Sequence, residues 1–541
     1  MHLKKLFRWL IESGIYLIPV GFGGAVYAWR GIPPNPPLSQ EQYMLIGVAS
    51  VLVWLWLWNE QTSSLSYLNK HDGREAAMYP RPPKDMTYRD PEGFCFGKYG
   101  SRYICKRVDE PGSIFIGGGS GSGKSTTLIE SFLLNPKNKK NCTALVLDLK
   151  HELADDCVKP EDIYGSMNPD GDTIILDPLD RKTGFGYDPF FLLSDESSES
   201  EVHETMQVVT DAIIPLLKGD GAVWSGSARQ FLTGAMTFFY HEKKLRTLPD
   251  IIEAMKAAPI ADIVNMIIDS TVPGSLSYID MISFKDQASE TITSTDMNLS
   301  QKIVQLRTDQ NLCWCLSDCP RKCSPKDLLT KSIFLCLPED KLEEWGQLIF
   351  LIFSQSIKWM MSLPEKKYDP ERKYMAMILD ESVALQAGVG AAIPGLAQCL
   401  RIGARGKGCT MVVCCQSISG LYAVAGKDET KDMFSNLAYK YVLESSDIES
   451  NKTYIELSGK YSSRKASSNG SGKDRKINYS YKDEDIVRNE DLIKLPKSGD
   501  AILLSGRAGY LRLKKSPVYK DKFFKKLLKE VKKSKEEQKH E

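Results

Sequence analysis

The segment from Gly117 to Thr126, with the sequence GGGSGSGKST, constrains the fold of this chain more than any other segment. An apolar stretch, residues 113–116, runs into it, and residues 127–130 leave it with a helical pattern. Glycines let the backbone turn its N–H groups around phosphate oxygens, and the following helix N-terminus adds a favourable dipole. A flexible Gly/Ser linker is the alternative, but it accounts for neither flanking element. The segment therefore predicts a P-loop in an α/β fold that binds a nucleoside triphosphate.

The predicted nucleotide-binding residues are consecutive in the sequence. Lys124 is expected to reach the terminal phosphates, and the Ser125 hydroxyl is expected to bind Mg²⁺. ATP and Mg²⁺ are therefore the predicted ligands. The full predicted set is Gly118, Gly119, Ser120, Gly121, Ser122, Gly123, Lys124, Ser125 and Thr126.

A second apolar strand pattern, residues 375–379, ends in two adjacent carboxylates and is the natural partner of the P-loop. Asp380 is predicted to hold Mg²⁺, directly or through water, and Glu381 to polarise the attacking water. An ordinary strand that ends in capping acids is the alternative. With a P-loop upstream, the pattern predicts a Walker B element.

Two further residues are predicted to act on the γ-phosphate. Gln416 follows the apolar strand pattern at 410–415, where it could sense that phosphate. Arg405, in the basic segment 401–407, could serve a neighbouring subunit as an arginine finger that stabilises transition-state charge. A plain loop residue and a solvated surface arginine are the respective alternatives.

Strand and helix patterns alternate along the chain, which favours a largely parallel sheet. From about residue 194 to 324 the pattern is mainly helical, which indicates an insertion. The predicted fold is a RecA-like P-loop NTPase core with an inserted all-α domain and an N-terminal two-helix transmembrane anchor. The predicted boundaries are an anchor at 1–58, a connector with edge strands at 59–112, a first nucleotide-binding part at 113–193, the all-α insertion at 194–324, a second nucleotide-binding part at 325–519 and a charged tail at 520–541.

Two apolar runs near the N-terminus, residues 9–29 and 43–58, predict the membrane anchor because a spanning helix needs about 20 apolar residues. Lysines and arginines precede the first run and follow the second, so the positive-inside rule places both chain ends in the cytoplasm. A cleaved signal peptide is the alternative for the first run. The predicted location is the inner (cytoplasmic) membrane, with the bulk of the chain cytoplasmic. All 13 cysteines lie at or after Cys95, on the reducing side, which argues against a disulfide framework.

Four of these cysteines are clustered: Cys313, Cys315, Cys319 and Cys323. Four thiolates can form a tetrahedral Zn²⁺ site. The spacing lacks the paired C-x₂-C form, so reduced, partly buried cysteines are favoured over structural zinc.

The formal net charge is +1, so any contact with nucleic acid must come from a local basic element. The candidates are a predicted loop, Lys460 to Lys465 with Lys473, Arg475 and Lys476, and the surface of the helical insertion. A solvated flexible connector is the alternative for the loop. The tail from Lys520 mixes Lys with Glu and predicts an exposed amphipathic helix that frays into disorder.

Taken in order, these motifs resemble the VirD4/TraG/TraD type IV coupling proteins over nearly the whole chain. The segments that carry the resemblance are 118–125, 148–152, 187–190, Trp224 with the helix at 228–239, 379–381, 405–417 and 495–501. The resemblance implies a homo-hexameric, membrane-anchored ATPase, with Lys124, Ser125, Asp380, Glu381, Arg405 and Gln416 in the roles given above. There are two departures: His151 replaces a usual glycine, and Ser382 stands where a bulky apolar residue is common.

The implied function is recruitment of relaxase-bound single-stranded DNA and its delivery into a type IV secretion channel, as in conjugation. The expected partners are single-stranded DNA with relaxase, channel components and the membrane. Two alternatives remain open on the sequence. One is a coupling ATPase for protein effector cargo, and the other is a nucleotide-regulated docking platform without motor activity.

Overall fold

A computed structural model describes residues 39, 41–42, 44–45, 47–52, 55, 73–165, 168–181, 184–215, 221–285, 287, 289–380, 393–469 and 476–540. The chain divides into two compact units. One comprises residues 1–80 with 459–486, and the other comprises residues 81–458 with 487–541.

A mixed sheet, 12-stranded in the described part of the chain, forms the centre of the larger unit, in the order β1-β3-β2-β16-β15-β12-β4-β11-β10-β5-β9-β6. From β12 to β6 each neighbouring pair is parallel, and the pairs from β12 to β1 are antiparallel. The strands are β1 Thr87–Tyr88, β2 Phe94–Tyr99, β3 Arg102–Lys106, β4 Ile114–Gly117, β5 Cys142–Asp148, β6 Thr173–Leu176, β7 Gly186–Tyr187, β8 Lys322–Cys323, β9 Ser332–Cys336, β10 Tyr374–Leu379, β11 Cys409–Cys415, β12 Tyr439–Val442, β13 Lys460–Asn469, β14 Lys476–Asp485, β15 Asp500–Ser505 and β16 Gly509–Lys514.

The central strands are mostly apolar, as expected for parallel strands that are covered on both faces. All residues of β5 and β11 are buried. In register, Leu379 of β10 lies opposite Leu147 of β5 and Val413 of β11. The carboxyl ends of these strands therefore meet at one edge of the sheet, where open α/β sheets bind ligands. The predicted α/β core is confirmed.

Helices cover the sheet and form the segment between β7 and β8. β7 and β8 pair with each other in parallel, so the two ends of this helical segment are held together. From residue 73 onward, the described α-helices are Arg74–Met78, Glu130–Leu133, Pro136–Asn141, Glu152–Cys157, Glu199–Ile213, Gly221–His241, Leu248–Met255, Ile260–Ser270, Leu276–Ile282, Ser289–Ile303, Gln305–Thr308, Gln310–Leu316, Leu342–Ser362, Leu396–Gln398, Ala404–Lys407, Ile418–Ala425, Lys427–Asn436, Ile448–Ser458, Asn489–Ser498 and Lys522–His540.

The predicted transmembrane anchor falls mostly outside the described residues, which begin as short pieces at 39–55 and are continuous only from 73. In the part of the chain that the structure describes, no helix is both long enough and apolar enough to cross a membrane. The two-helix anchor therefore stays a prediction.

The prediction of a loop for the basic segment that begins at Lys460 is wrong. Its described residues form β13 and β14, which pair antiparallel from Lys460 opposite Asp485 to Asn469 opposite Lys476. The sequence does not predict these strands, because a strand is predicted from alternating apolar residues and this segment has few of them.

The predicted exposed tail is a helix that packs on the core of its unit. Phe524, Leu528 and Val531 are buried in the main apolar cluster. Lys535 Nζ lies 3.0 Å from Asp155 Oδ1, so part of the lysine face also contacts the protein. The predicted amphipathic helix is confirmed. The predicted fraying is not seen up to residue 540, because the apolar stripe of the helix packs on the core.

The four clustered cysteines are described in full and are not arranged as ligands. Within the described ranges no group of three or more His, Cys, Asp or Glu side chains could hold a metal ion. Cys319 Sγ instead lies 2.7 Å from the carbonyl oxygen of Trp314. Burial raises the pKa of Cys315 and Cys323, which favours their thiol forms.

Candidate nucleotide-binding site

The P-loop begins where β4 ends. Leu443 N donates to Gly117 O at 2.8 Å, and Gly118 N donates to Cys415 O at 3.2 Å, so the loop is tied to both neighbouring strands. Gly121 and Gly123 have φ angles of 73° and 91°, a region that residues with a Cβ rarely adopt. The loop leads into a helix whose first turn, Ser125–Ile129, is a π-helix. The predicted strand, loop and helix are all present.

Lys124 is held at the centre of this loop. Its side chain is buried, and Nζ donates to the carbonyl oxygens of Gly118 at 3.0 Å and Gly119 at 3.3 Å. A buried ammonium that points into a ring of backbone groups presents a positive charge to anything bound in the loop. This position suits the contact with terminal phosphates that the sequence predicts.

Ser125 and Asp380 are in contact although they lie 255 residues apart in the sequence. Ser125 Oγ donates to Asp380 Oδ2 at 2.9 Å. The contact arises because β10 lies two strands from β4 with only β11 between them, and Asp380 follows the carboxyl end of β10 directly. A hydroxyl and a carboxylate in contact form an oxygen donor set of the kind that Mg²⁺ prefers. The residues present therefore fit the predicted ion.

These residues line a cleft of about 420 Å³. Its walls also include three acidic residues that the predicted site set did not contain, Asp148, Glu152 and Glu339. Asp148 accepts from Ala154 N at 2.8 Å and so caps the helix Glu152–Cys157, and burial raises its pKa. Burial, with the nearby carboxylates of Asp156 and Glu152, raises the pKa of Glu130 to about 7. Burial therefore favours the neutral forms of Asp148 and Glu130.

A C-terminal segment closes one side of the cleft, and sequence reasoning missed it. Val518 N donates to Thr126 O at 3.0 Å, and Lys515 Nζ donates to Ser122 O at 3.2 Å. Tyr519 lines the cleft. The segment lies almost 400 residues after the P-loop and carries no local motif, so only the order of strands in the sheet brings it here.

Gln416 and Arg405 stand at opposite ends of β11. Gln416 follows Cys415, which pairs with Gly117, so Gln416 lies at the P-loop edge. Arg405 precedes β11 and lines a separate cleft with Tyr374 and Cys409. β11 has 7 residues, and at about 3.3 Å per residue its ends lie roughly 20 Å apart. Arg405 is therefore far from the P-loop of its own chain.

Glu381 and Ser382 lie outside the described residues, which stop at Asp380 and resume at 393. The structure thus brings together Lys124, Ser125 and Asp380 and places Gln416 at the same edge. The role of Glu381 stays a prediction.

His151, the departure from the resemblance at this site, has a φ of 60° and lies in the left-handed region. It stands directly before the helix Glu152–Cys157. Its Nε2 lies 3.9 Å from Asp177 Oδ2. The left-handed backbone gives a physical reason for a glycine at this position, since only glycine adopts it without cost.

We expect His151→Gly to be more stable than His151→Ala by about 1 kcal/mol. Both variants lose the contact with Asp177, but only alanine retains a Cβ in the left-handed conformation, and glycine also caps a helix better. The measurement is the thermal unfolding midpoint of the two full-length variants without nucleotide. Equal midpoints, or a lower one for His151→Gly, would contradict the strain argument.

The chain matches a known protein family. A family model described as Type IV secretory system Conjugative DNA transfer matches residues 79–541. No curated protein sequence matches the chain.

Solved structures share the fold at low sequence identity. The bacterial conjugative coupling protein TrwBdeltaN70, in its unbound monoclinic form, has a TM-score of 0.59 and 18% identity, covering 81% of this chain and 93% of that chain. The plasmid coupling protein TrwB in complex with the non-hydrolysable ATP analogue ADPNP has a TM-score of 0.58 and 18% identity, covering 80% of this chain and 90% of that chain. TrwB in complex with ADP and Mg²⁺ has a TM-score of 0.57 and 16% identity, covering 81% of this chain and 94% of that chain.

Proposed function

Because this chain belongs to the type IV secretory system conjugative DNA transfer family, we propose that it is a membrane-anchored coupling ATPase. In this proposal it recruits relaxase-bound single-stranded DNA and drives or gates the transfer of that DNA through a type IV secretion channel. The contact between Ser125 Oγ and Asp380 Oδ2 at 2.9 Å, beside the buried Lys124, carries the ATPase part of the proposal.

The proposed ligands are ATP and Mg²⁺. Two structures of similar fold are complexes of TrwB, one with ADPNP and one with ADP and Mg²⁺, and this supports the same ligands here. In this chain the P-loop would hold the phosphates through its backbone N–H groups and Lys124. Ser125 and Asp380 would hold the ion. When bound, Mg²⁺ neutralises charge that develops on the phosphate oxygens.

The chain's own groups have distinct tasks in this proposal. Lys124 presents its ammonium to the terminal phosphates and so favours the transition state over the ground state. Asp380 keeps the ion beside Ser125. Glu381, which follows Asp380 in the sequence, orients the attacking water and accepts its proton. Gln416, at the end of the neighbouring strand β11, senses the γ-phosphate.

Arg405 acts on the nucleotide of a neighbouring subunit in this proposal. Its position at the far end of β11 supports a role in trans, because it lies roughly 20 Å from its own P-loop edge. Its cleft, of about 480 Å³, is lined by exposed and half-buried charged side chains including Glu365 and Lys367. A closed ring of copies, which the family resemblance implies is a hexamer, supplies the neighbour.

Membrane anchoring rests on the N-terminal sequence. Residues 47–52, which belong to the second apolar run, are helical. Their apolar side chains Val48, Val51 and Leu52 are 55%, 52% and 60% exposed, which suits a lipid environment better than water. With the charge pattern around both apolar runs, this supports an anchor whose two ends face the cytoplasm.

We expect Asp380→Asn in the full-length protein to raise the Mg²⁺ concentration needed for half-maximal ATP hydrolysis by roughly 10- to 100-fold. The amide retains the shape of the side chain but loses the charge that holds the ion. The measurement is a Mg²⁺ titration of steady-state hydrolysis. Asp318→Asn, at a carboxylate that is 91% exposed, is the matched control and should leave the titration unchanged. An unchanged titration in Asp380→Asn would remove its assigned role.

A further inference from the structure

The β13–β14 hairpin carries an exposed aromatic and basic face. In its register Arg464 lies opposite Tyr481, and Ala466 lies opposite Tyr479. Opposite residues of an antiparallel pair share a face, and so do residues two apart along one strand. Arg464, Tyr479 and Tyr481 therefore stand together on one side of the hairpin.

The two rings on this face are open to solvent. Tyr481 is 68% exposed and Tyr479 is 44% exposed. The guanidinium carbon of Arg464 lies 4.8 Å from the centroid of the Tyr479 ring, a cation–π contact that holds the two groups next to each other. Exposed tyrosines next to this arginine form a surface on which a planar group can lie.

The basic residues lie along both strands of the hairpin, and its acidic residues lie together at the end of β14. The strand residues 460–469 and 476–482 contain five lysines or arginines and no aspartate or glutamate: Lys460, Arg464, Lys465, Lys476 and Lys482. The acids follow at the end of β14, at positions 483–485. One of them, Glu484, lies 3.2 Å from Lys465 on the opposite face to Arg464. In this register Lys460 and Arg464 stand on the aromatic face with Asp483 and Asp485, whereas Lys465 and Lys482 stand on the other face. The cation next to the rings is Arg464.

We propose that this face of the hairpin binds single-stranded DNA, with bases stacked on Tyr479 and Tyr481 and the phosphate backbone near Arg464. The proposal rests on the proposed function for the choice of a DNA substrate. Sequence-tolerant binding of single strands combines aromatic stacking with cationic contacts to the backbone, and this face has both. An unpaired strand is favoured over a duplex because only unstacked bases offer their faces to the rings.

The first test is equilibrium binding of a fluorescent oligothymidine to the full-length protein. Stacking on an aromatic side chain is worth roughly fivefold to 150-fold in affinity per base. The double variant Tyr479→Ala/Tyr481→Ala should therefore bind at least about tenfold more weakly. Tyr479→Phe/Tyr481→Phe keeps the rings and should retain the wild-type affinity. Tyr368→Ala removes a tyrosine that is 74% exposed elsewhere and should also have no effect.

The second test is the salt dependence of the same binding. Arg464→Gln should lower the slope of log affinity against log salt by about 0.7, the value for one phosphate contact on a single strand. The ring variant should weaken binding without a change in this slope, since it removes no charge. This difference separates stacking from general electrostatic attraction.

The outcomes separate a failure of the hairpin proposal from a failure of the proposed function. If the wild-type protein binds no oligothymidine, the proposed DNA function itself fails. If the wild type binds and the ring variant binds equally well, the hairpin inference alone is overturned. A ring variant that changes self-association but not DNA affinity would overturn it too, and would assign the face to contacts between copies. ATP hydrolysis without DNA should be the same in all variants, which excludes unfolding as the cause.

Discussion

Lys124→Ala is expected to reduce ATP hydrolysis by roughly 10²- to 10³-fold, the usual effect of losing one preorganised donor to a developing negative charge. The Lys124 side chain is buried, and its Nζ is fixed by the carbonyl oxygens of Gly118 and Gly119. Little reorganisation is therefore needed when it turns to a phosphate. Alanine removes the charge and leaves the loop without a cation at this point, so nucleotide affinity should fall as well.

The matched control is Lys150→Ala. Lys150 also lines the cleft, but its side chain is 52% exposed and its Nζ pairs with Glu339 at 3.0 Å. An exposed pair contributes little, so Lys150→Ala should change hydrolysis by only a few-fold. The measurements are steady-state hydrolysis and nucleotide binding by the full-length proteins. Unchanged nucleotide affinity and turnover in Lys124→Ala would contradict the P-loop assignment.

Arg405→Ala is expected to reduce hydrolysis by roughly 10³- to 10⁵-fold, the range for arginine fingers in phosphoryl transfer. The effect arises in trans, because Arg405 stands at the opposite end of β11 from the P-loop of its own chain. Mixing Arg405→Ala with Lys124→Ala should therefore restore part of the activity. In mixed rings, some sites combine an intact P-loop from the first variant with an intact arginine from the second.

The control for this experiment is Arg401→Ala, one turn earlier in the same basic segment. Arg401 is exposed and lies 3.5 Å from Asp432, so it has a local partner and no required role at the nucleotide. It should retain most of the wild-type activity. If the mixture of the two inactive variants stays inactive while the mixed rings assemble, Arg405 does not act between subunits.

Much of the site could be predicted from sequence because its main parts are local. The P-loop residues are consecutive, and Asp380 directly follows an apolar strand. Their meeting depends only on parallel strands that end at one edge, which is a general property of α/β sheets. The contact between Ser125 and Asp380 is the result expected from this property.

The remaining features depend on long-range order that local patterns do not encode. The segment with Lys515 and Tyr519 reaches the cleft only because β15 and β16 join the sheet beside β12. The sequence of the β13–β14 hairpin predicts a loop because its residues are mostly small, polar or charged. The C-terminal helix has a clear apolar stripe, but the sequence does not show which surface receives it.

The proposed function requires that ATP hydrolysis by this chain is coupled to single-stranded DNA. The most direct measurement is the rate of ATP hydrolysis by the full-length protein with and without single-stranded DNA, over a series of salt concentrations, with Lys124→Ala as the blank. We expect stimulation by DNA that fades as salt rises, because the counterions that backbone contacts release gain less free energy at high salt. ATP hydrolysis that DNA leaves unchanged at every salt concentration, in protein shown to be assembled, would contradict it.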